Sequence, residues 1–147
     1  MDFLTALRIS GSGLSVERTR VNLASSNLAN AETTRTAAGG PYKRLDPVIE
    51  AVPFAPMLNQ VEGSTEVETT PPLNARIASI VADNGPGRKV YSPGHPDADP
   101  EGFVTFPNVN PVHEVVNLMS ASRSYEANAT AIETLKTMAQ RGLDIAR

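Results

Sequence analysis

Apolar side chains recur at three- and four-residue steps along the last third of the chain. Asn110 precedes this stretch and Pro111 opens it, a pair typical of a helix N-cap followed by the first helical position. Glu114 falls in the first turn, where a negative charge complements the helix dipole. The pattern predicts an α-helix over Pro111–Ile145, about 50 Å long at the usual rise per residue.

A helix of that length does not fit inside a compact domain of this size. A chain of 147 residues folded as a globule has a radius of gyration of about 15 Å, which corresponds to a diameter of roughly 40 Å. We therefore expect an elongated chain, or a helix that packs against other chains.

The first 30 or so residues carry two apolar rows, each with a seven-residue repeat. An offset of two residues rotates a helical position by about 200°, so the rows lie on nearly opposite faces. A helix over residues 2–31 therefore needs neighbours on both sides, either in an ordinary bundle or in a multi-chain assembly. One row is Leu7, Leu14, Val21 and Leu28, and the other is Ile9, Val16 and Leu23.

The two terminal helices are predicted to pair as a coiled coil, because both carry heptad-spaced apolar rows. The spacing leaves open whether the pairing is antiparallel or mixed. Gly11 and Gly13 lower the stability of the first helix in isolation. The side chains expected to make the packing contacts are Leu7, Leu14, Val21, Leu28, Leu118, Tyr125, Ile132 and Leu135.

The middle of the chain has a different composition, since all 12 prolines lie between Pro41 and Pro111. Such a region cannot form a long helix. Short strands are predicted over residues 48–52, 75–82 and 103–106, with turns over 83–87 and 92–96 and a loop over 55–70. The predicted fold class is α+β, with long N- and C-terminal α-helices that pair as a coiled coil and a small irregular β-rich middle region. The predicted divisions are 1–34, 35–107 and 108–147, the first and last forming one helical domain.

The composition of the chain excludes several classes of function and of binding site. The net charge of −3 and the lack of a basic run with aromatics give no indication of nucleic-acid binding. Without cysteine, disulfides, thiol catalysis and Cys–zinc sites are excluded. No apolar run approaches the roughly 20 residues that span a bilayer. Residues 1–8 lack the basic start and long apolar core of a secretory signal, so any export is expected to use another route.

The sequence contains few candidates for catalytic, metal-binding or phosphate-binding residues. His95 lies near Asp97, Asp99 and Glu101, but no second histidine or cysteine at ligand spacing supports a metal site, and a solvated acidic turn is the simpler interpretation. His113, in the first turn of the last helix, is expected to be a surface or interface residue. The glycine-rich, basic stretch 85–89 lacks the strand–GxxxxGK[ST]–helix pattern of a phosphate-binding loop. We expect no catalytic residues, no cofactor and no metal.

Several motifs resemble those of the bacterial flagellar rod and hook proteins. The stretch Asn27-Leu28-Ala29-Asn30 with Thr33 is similar to their Asn-Leu-Ala-Asn-x-x-Thr signature, and residues 40–44 resemble the end of that signature after a wider gap. The segments that are similar to the proximal-rod branch of the family are 90–99, 102–104, 107–110, 123–128 and 136–138. In this interpretation Asn27, Asn30 and Thr33 set the turn from helix to loop.

The resemblance implies a structural subunit of the flagellar basal body, in the periplasmic rod. It implies export through the flagellar type III apparatus and assembly into a helical tube that transmits torque. The implied partners are copies of the chain, other rod proteins, the adaptor and MS-ring side of the basal body, and the export apparatus. Nucleic acid and a membrane span are not expected.

The sequence leaves two other classes of function possible. A soluble homo-oligomeric coiled-coil adaptor would form a stable closed dimer or tetramer. A small enzyme built on the acidic turn would lose its activity when His95 is replaced by alanine.

Overall fold

The computed structural model of the protein describes residues 3–53 and 73–145. In chain order the elements are α1 (Phe3–Ala29), β1 (Leu45–Pro53), β2 (Leu73–Ala82), β3 (Arg88–Tyr91), β4 (Phe103–Phe106) and α2 (Pro111–Ile145). The α+β class is confirmed, with two long terminal helices around a small β-rich middle. The loop predicted over 55–70 lies outside the described residues.

The two helices pack against each other in antiparallel orientation. Gly13 on α1 lies against Asn128 on α2, and Asn27 on α1 bonds to Glu114 on α2. Gly13 and Asn27 are 14 residues apart on α1, and Glu114 and Asn128 are 14 residues apart on α2. The register of the two helices is therefore the same at both contacts. Of the two orientations that the sequence left open, the structure has the antiparallel one.

The predicted start of α2 is confirmed. The Asn110 side-chain oxygen accepts hydrogen bonds from the backbone N–H groups of Val112, at 3.0 Å, and His113, at 3.4 Å. Early helical N–H groups have no partner inside their own helix, so this cap supplies one and sets where α2 begins.

Gly13 lies at a position where the two helices approach closely. A Cβ built at Gly13 would lie 2.8 Å from the Asn128 side-chain nitrogen, whereas a Cβ at Gly11 meets nothing within 4 Å. We expect Gly11→Ala to stabilise the purified chain by about 0.5–1 kcal/mol through helix propensity. Gly13→Ala should be less stable than Gly11→Ala by about 1 kcal/mol, because the end of the Asn128 side chain must turn aside. Urea unfolding followed by circular dichroism measures both, and equal stabilities would contradict the described helix contact.

The second face of α1 is covered in part by a two-stranded antiparallel ribbon of β1 and β2. The Ser12 hydroxyl accepts a hydrogen bond from the backbone N–H of Ala75 at 3.2 Å, which ties β2 to the helix. A register shift between Val48 and Ile49 marks a bulge in β1. The neighbours that the two apolar rows of α1 required are thus α2 on one side and this ribbon on the other.

A second antiparallel pair, β3 with β4, lies between the ribbon and α2 in sequence. Strand β4 was predicted with its observed bounds. The strand predicted over 48–52 is longer at both ends, and the one predicted over 75–82 begins two residues earlier. Strand β3 was missed, because its four residues, Arg88–Tyr91, are all exposed and show no alternation of apolar and polar side chains. The sequence pattern predicted only the turns on either side of it, over residues 83–87 and 92–96.

Little apolar surface is fully buried in the described residues. Among their Val, Ala, Leu, Ile, Met, Phe and Tyr side chains, only Val16, Ala24, Val104 and Ala121 are buried. Neither described helix is long and apolar enough to cross a membrane.

Candidate functional site

A buried polar cluster joins the end of α1, the start of β1 and the start of α2, and Asn27 lies at its centre. Asn27 is 1% exposed. Its side-chain nitrogen donates to the Leu45 carbonyl at 2.9 Å and to Glu114 Oε2 at 3.2 Å. Its oxygen accepts from the Leu45 N–H at 2.9 Å and from the Tyr42 hydroxyl at 3.0 Å. All four hydrogen-bonding positions of the amide are therefore used.

The pairing of Asn27 with Leu45 determines where β1 starts. The amide side chain bonds to both the N–H and the C=O of one residue, as a neighbouring strand would. Buried backbone groups need such partners, because an unpaired one loses its hydrogen bonds to water. Asn27 thus connects the end of α1 to the first residue of the ribbon.

Glu114 is the second buried member of the cluster, with 2% of its surface exposed. Its Oε1 accepts a bond from Arg44 Nε at 2.7 Å, and its Oε2 accepts the bond from Asn27. A carboxylate removed from water is stable only when it is paired and hydrogen-bonded. The guanidinium and the amide together provide that compensation.

Arg44 also pairs with Asp46. Partial burial of the guanidinium opposes its charge, but the hydrogen bonds that it donates to Asp46 and Glu114, together with the negative charges of these carboxylates, outweigh this effect and hold the pKa of Arg44 above its usual value. A raised pKa in the folded state favours folding at every pH below the value in the unfolded chain. Arg44 therefore stays charged, and its contribution to stability is present throughout the pH range in which proteins are usually studied.

The turn after α1 is fixed by the remaining signature residues. The Asn30 side-chain nitrogen donates to the Ser26 carbonyl at 2.9 Å, and the Thr33 hydroxyl donates to Asn30 Oδ1 at 3.2 Å. The Tyr42 N–H then bonds to the Thr33 carbonyl at 3.0 Å and brings the chain back toward the helix. The Tyr42 hydroxyl can in this way reach Asn27.

The wide loop after the turn contacts the β3–β4 region. The Thr34 hydroxyl donates to Asp97 Oδ2 at 2.8 Å, and Arg35 Nη1 lies 3.7 Å from Asp97 Oδ1. Asp97 follows His95, whose Nδ1 accepts from the Asp97 N–H at 3.1 Å. Within residues 3–53 and 73–145, no group of three His, Asp or Glu side chains is arranged to hold a metal ion. The acidic turn around His95 therefore contacts the loop that follows the signature, through Thr34 and Arg35.

The residues predicted to pack the helices are neither fully buried nor gathered at one place. Among the described residues of α1 and α2, the buried ones are Val16, Ala24, Asn27, Glu114 and Ala121. Ala29 is exposed, and Asn30 and Thr33 are half-buried in the turn. Tyr125 is 40% exposed, and the half-buried members of the predicted packing set are Leu7, Leu14, Val21, Leu28, Leu118, Ile132 and Leu135.

The sequence interpretation missed the roles of Glu114, Arg44 and Tyr42. Glu114 was noted only for its favourable position near the helix dipole. A signal was present, because Glu114 lies seven residues before Ala121, on the row of α2 that faces α1. A charged residue on such a row indicates a buried polar contact. No local pattern indicated that Arg44 would be its partner, since 70 residues separate them.

Comparison with known protein families supplies matches at both ends of the chain. A family described as "Flagella basal body rod protein" matches residues 7–35, which contain most of α1 and the signature turn. A family described as "Flagellar basal body rod FlgEFG protein C-terminal" matches residues 101–145, which contain β4 and α2.

Individual relatives match over nearly the whole chain. The chain is 40% identical over 145 residues to the flagellar basal-body rod protein FlgC of Salmonella typhimurium, covering 99% of the chain and 98% of the relative. It is 36% identical over 154 residues to FlgC of Borreliella burgdorferi, with coverage of 99% and 98%. It is 37% identical over 149 residues to FlgC of Bacillus subtilis, with coverage of 97% of both.

Proposed function

The chain belongs to the FlgC family of flagellar basal-body rod proteins, and from that premise we propose that it is a subunit of the proximal rod. As a member of this family it is a structural protein of the bacterial flagellar basal-body rod and not an enzyme. In our proposal, many subunits build a helical tube that acts as a drive shaft and transmits torque.

The observation that carries this proposal is the amount of apolar surface that one chain leaves uncovered. Both helices and the β1–β2 ribbon carry exposed large apolar side chains, and few are buried. Extended exposed apolar surface of this kind marks sites of association with other proteins. A chain with these surfaces is suited to a permanent assembly in which neighbours cover them.

We propose that the helical domain, residues 1–34 and 108–147, forms the inner layer of the tube. Residues 35–107 would then lie outside and contact neighbouring subunits. The polar cluster around Asn27 and Glu114 supports this division, because it joins the helical part to the first strand of the middle part. A rigid joint at that position would transmit force between the two layers.

The proposed partners are copies of the chain, other rod proteins and the adaptor and MS-ring side of the basal body. We also propose export through the flagellar type III apparatus before assembly. The small buried core supports an export-competent chain, since burial of apolar surface is the main favourable term in folding. The absence of cysteine means that no disulfide can fix the fold before export.

Two charge substitutions test the packing part of the proposal. Leu28→Asp and Ile132→Asp each place a carboxylate on a half-buried helical position, and a buried unpaired charge is strongly unfavourable. We expect loss of swimming and absence of the rod beyond the MS ring in cells that carry either variant. Soft-agar motility and electron microscopy of isolated basal bodies measure these outcomes.

The matched control is Thr130→Asp, which adds the same charge at an exposed position of α2. It should leave the chain in basal bodies at the wild-type level. Normal motility of the Leu28→Asp and Ile132→Asp strains would contradict the packing role. A purified chain that forms a stable closed dimer or tetramer and is missing from basal bodies would favour the adaptor function instead.

A further inference from the structure

The turn between β2 and β3 contains an asparagine followed by a glycine, Asn84-Gly85, and the sequence has no other such pair. Both residues are exposed. In this dipeptide the backbone nitrogen of the glycine can attack the side-chain carbonyl carbon of the asparagine, because glycine has no Cβ to hinder the approach. The attack closes a succinimide ring and expels ammonia. The reactivity of the pair therefore depends on the groups that contact the amide and the attacking nitrogen.

A lysine contacts the side-chain amide. Lys43, which lies just before β1, donates from Nζ to Asn84 Oδ1 at 2.8 Å. An ammonium group can only donate a hydrogen bond, so this contact fixes which end of the amide is the oxygen. Negative charge develops on that oxygen when the carbonyl carbon is attacked, and a neighbouring cation stabilises it. Lys43 is thus placed to promote the attack.

A carboxylate contacts the attacking nitrogen. The Gly85 N–H donates to Asp83 Oδ1 at 2.7 Å. The other carboxylate oxygen accepts from Asn108 Nδ2 at 3.1 Å, and the Asp83 N–H donates to the Arg44 carbonyl at 2.7 Å. A Cβ built at Gly85 would lie 2.9 Å from Asn108 Nδ2, so the space requires glycine. The Asp83 carboxylate is therefore held where it can accept the Gly85 proton as a general base.

We propose that Asn84 is a self-modification site at which Lys43 and Asp83 promote the loss of ammonia. The bond from Gly85 N to Asn84 Cγ forms and the Cγ–Nδ2 bond breaks, and the proton that Asp83 accepts leaves with the amide nitrogen as ammonia. Water then opens the succinimide. Cleavage between Gly85 N and Cγ gives aspartate, and cleavage between Gly85 N and the backbone carbonyl carbon of residue 84 gives isoaspartate.

The assistance by Lys43 requires the folded chain, because 41 residues separate it from Asn84. Either product places a new negative charge beside the Lys43 ammonium. Isoaspartate also adds a methylene group to the backbone of the turn that joins the β1–β2 ribbon to the β3–β4 pair. The reaction takes place within a single chain, so this proposal goes beyond the rod function and does not depend on it.

The test follows the tryptic peptide of residues 77–88 by mass spectrometry while the purified full chain is incubated at neutral pH. Conversion of the amide to an acid raises the mass of this peptide. Lys43→Met removes the ammonium but keeps a long side chain at an exposed position, and Lys89→Met is the matched control at an exposed lysine of β3. We expect Lys43→Met to convert about tenfold more slowly than the parent chain, since it lacks the stabilising cation. Lys89→Met should convert at the parental rate.

In urea all three chains should convert at one rate, because unfolding separates Lys43 from Asn84. Circular dichroism checks that each chain is folded before the urea is added, and Lys43→Ala replaces Lys43→Met if that variant does not fold. Equal rates for the folded parent and the folded Lys43 variant would overturn the proposal. So would a folded parent chain that keeps Asn84 intact while the urea-unfolded chain converts.

The chemical route is tested by the product. Opening of a succinimide yields isoaspartate together with aspartate, whereas direct hydrolysis of the amide by water yields aspartate alone. We expect an isoaspartate-specific methyltransferase to label the aged parent chain, and the label to lie in the peptide of residues 77–88. Conversion of Asn84 with no isoaspartate in this peptide would overturn the attack by Gly85 N.

Discussion

Replacing Glu114 with glutamine is expected to lower the free energy of unfolding by about 3–5 kcal/mol, the usual cost of breaking a buried ion pair from one side. The carboxylate accepts from Arg44 on one oxygen and from Asn27 on the other. A glutamine amide has one acceptor and one donor group, so in either orientation an N–H would face another donor. Asn27 cannot turn to compensate, because Leu45 and Tyr42 fix its orientation.

Urea unfolding of the purified chain, followed by circular dichroism, measures this loss. The matched control is Glu133→Gln, which makes the same change at an exposed position of α2 and should stay within about 0.5 kcal/mol of the parent chain. Equal stability of the Glu114→Gln and Glu133→Gln chains would show that the buried ion pair is not formed.

Replacing Asn27 with alanine should cost about 2–4 kcal/mol, because it leaves the part-buried N–H and C=O of Leu45 without their partner. Glu114 also loses one of its donors. Asn27→Asp keeps the shape but removes both donors and places a second carboxylate beside Glu114, so we expect it to be at least as harmful. Unfolding free energies of both variants provide the measurement.

Asn22→Ala is the control for Asn27→Ala, because Asn22 is exposed on the same helix. It should change stability little. The prediction fails if Asn27→Ala and Asn22→Ala are equally stable, or if Asn27→Asp is as stable as the parent chain. Either result would mean that the amide does not connect α1 to β1.

The helices could be predicted because their signals are local. Asn110 and Pro111 mark the start of α2 in sequence and in structure alike. The seven-residue rows of α1 indicated two covered faces, and α2 and the β1–β2 ribbon cover them in part. Caps and periodic apolar patterns depend on residues close together in the chain, which is why one sequence is enough to find them.

The polar cluster could be predicted only in part. The family signature drew attention to Asn27, Asn30 and Thr33 as turn residues, but it gave no reason to expect Asn27 to bond to Glu114, 87 residues away. Pairing between distant polar residues depends on the register of the helices, which the apolar rows leave undetermined. Strand β3 was missed for a related reason, since its residues show no burial pattern and its pairing with β4 is a tertiary contact.

The most direct test of the rod function is to delete the coding sequence and examine isolated basal bodies. We predict that wild-type basal bodies contain the chain by mass spectrometry, that the deletion strain stops at the MS ring and does not swim, and that the restored gene reverses both defects. A deletion strain that swims normally, with complete rods that contain none of the chain, would contradict the account.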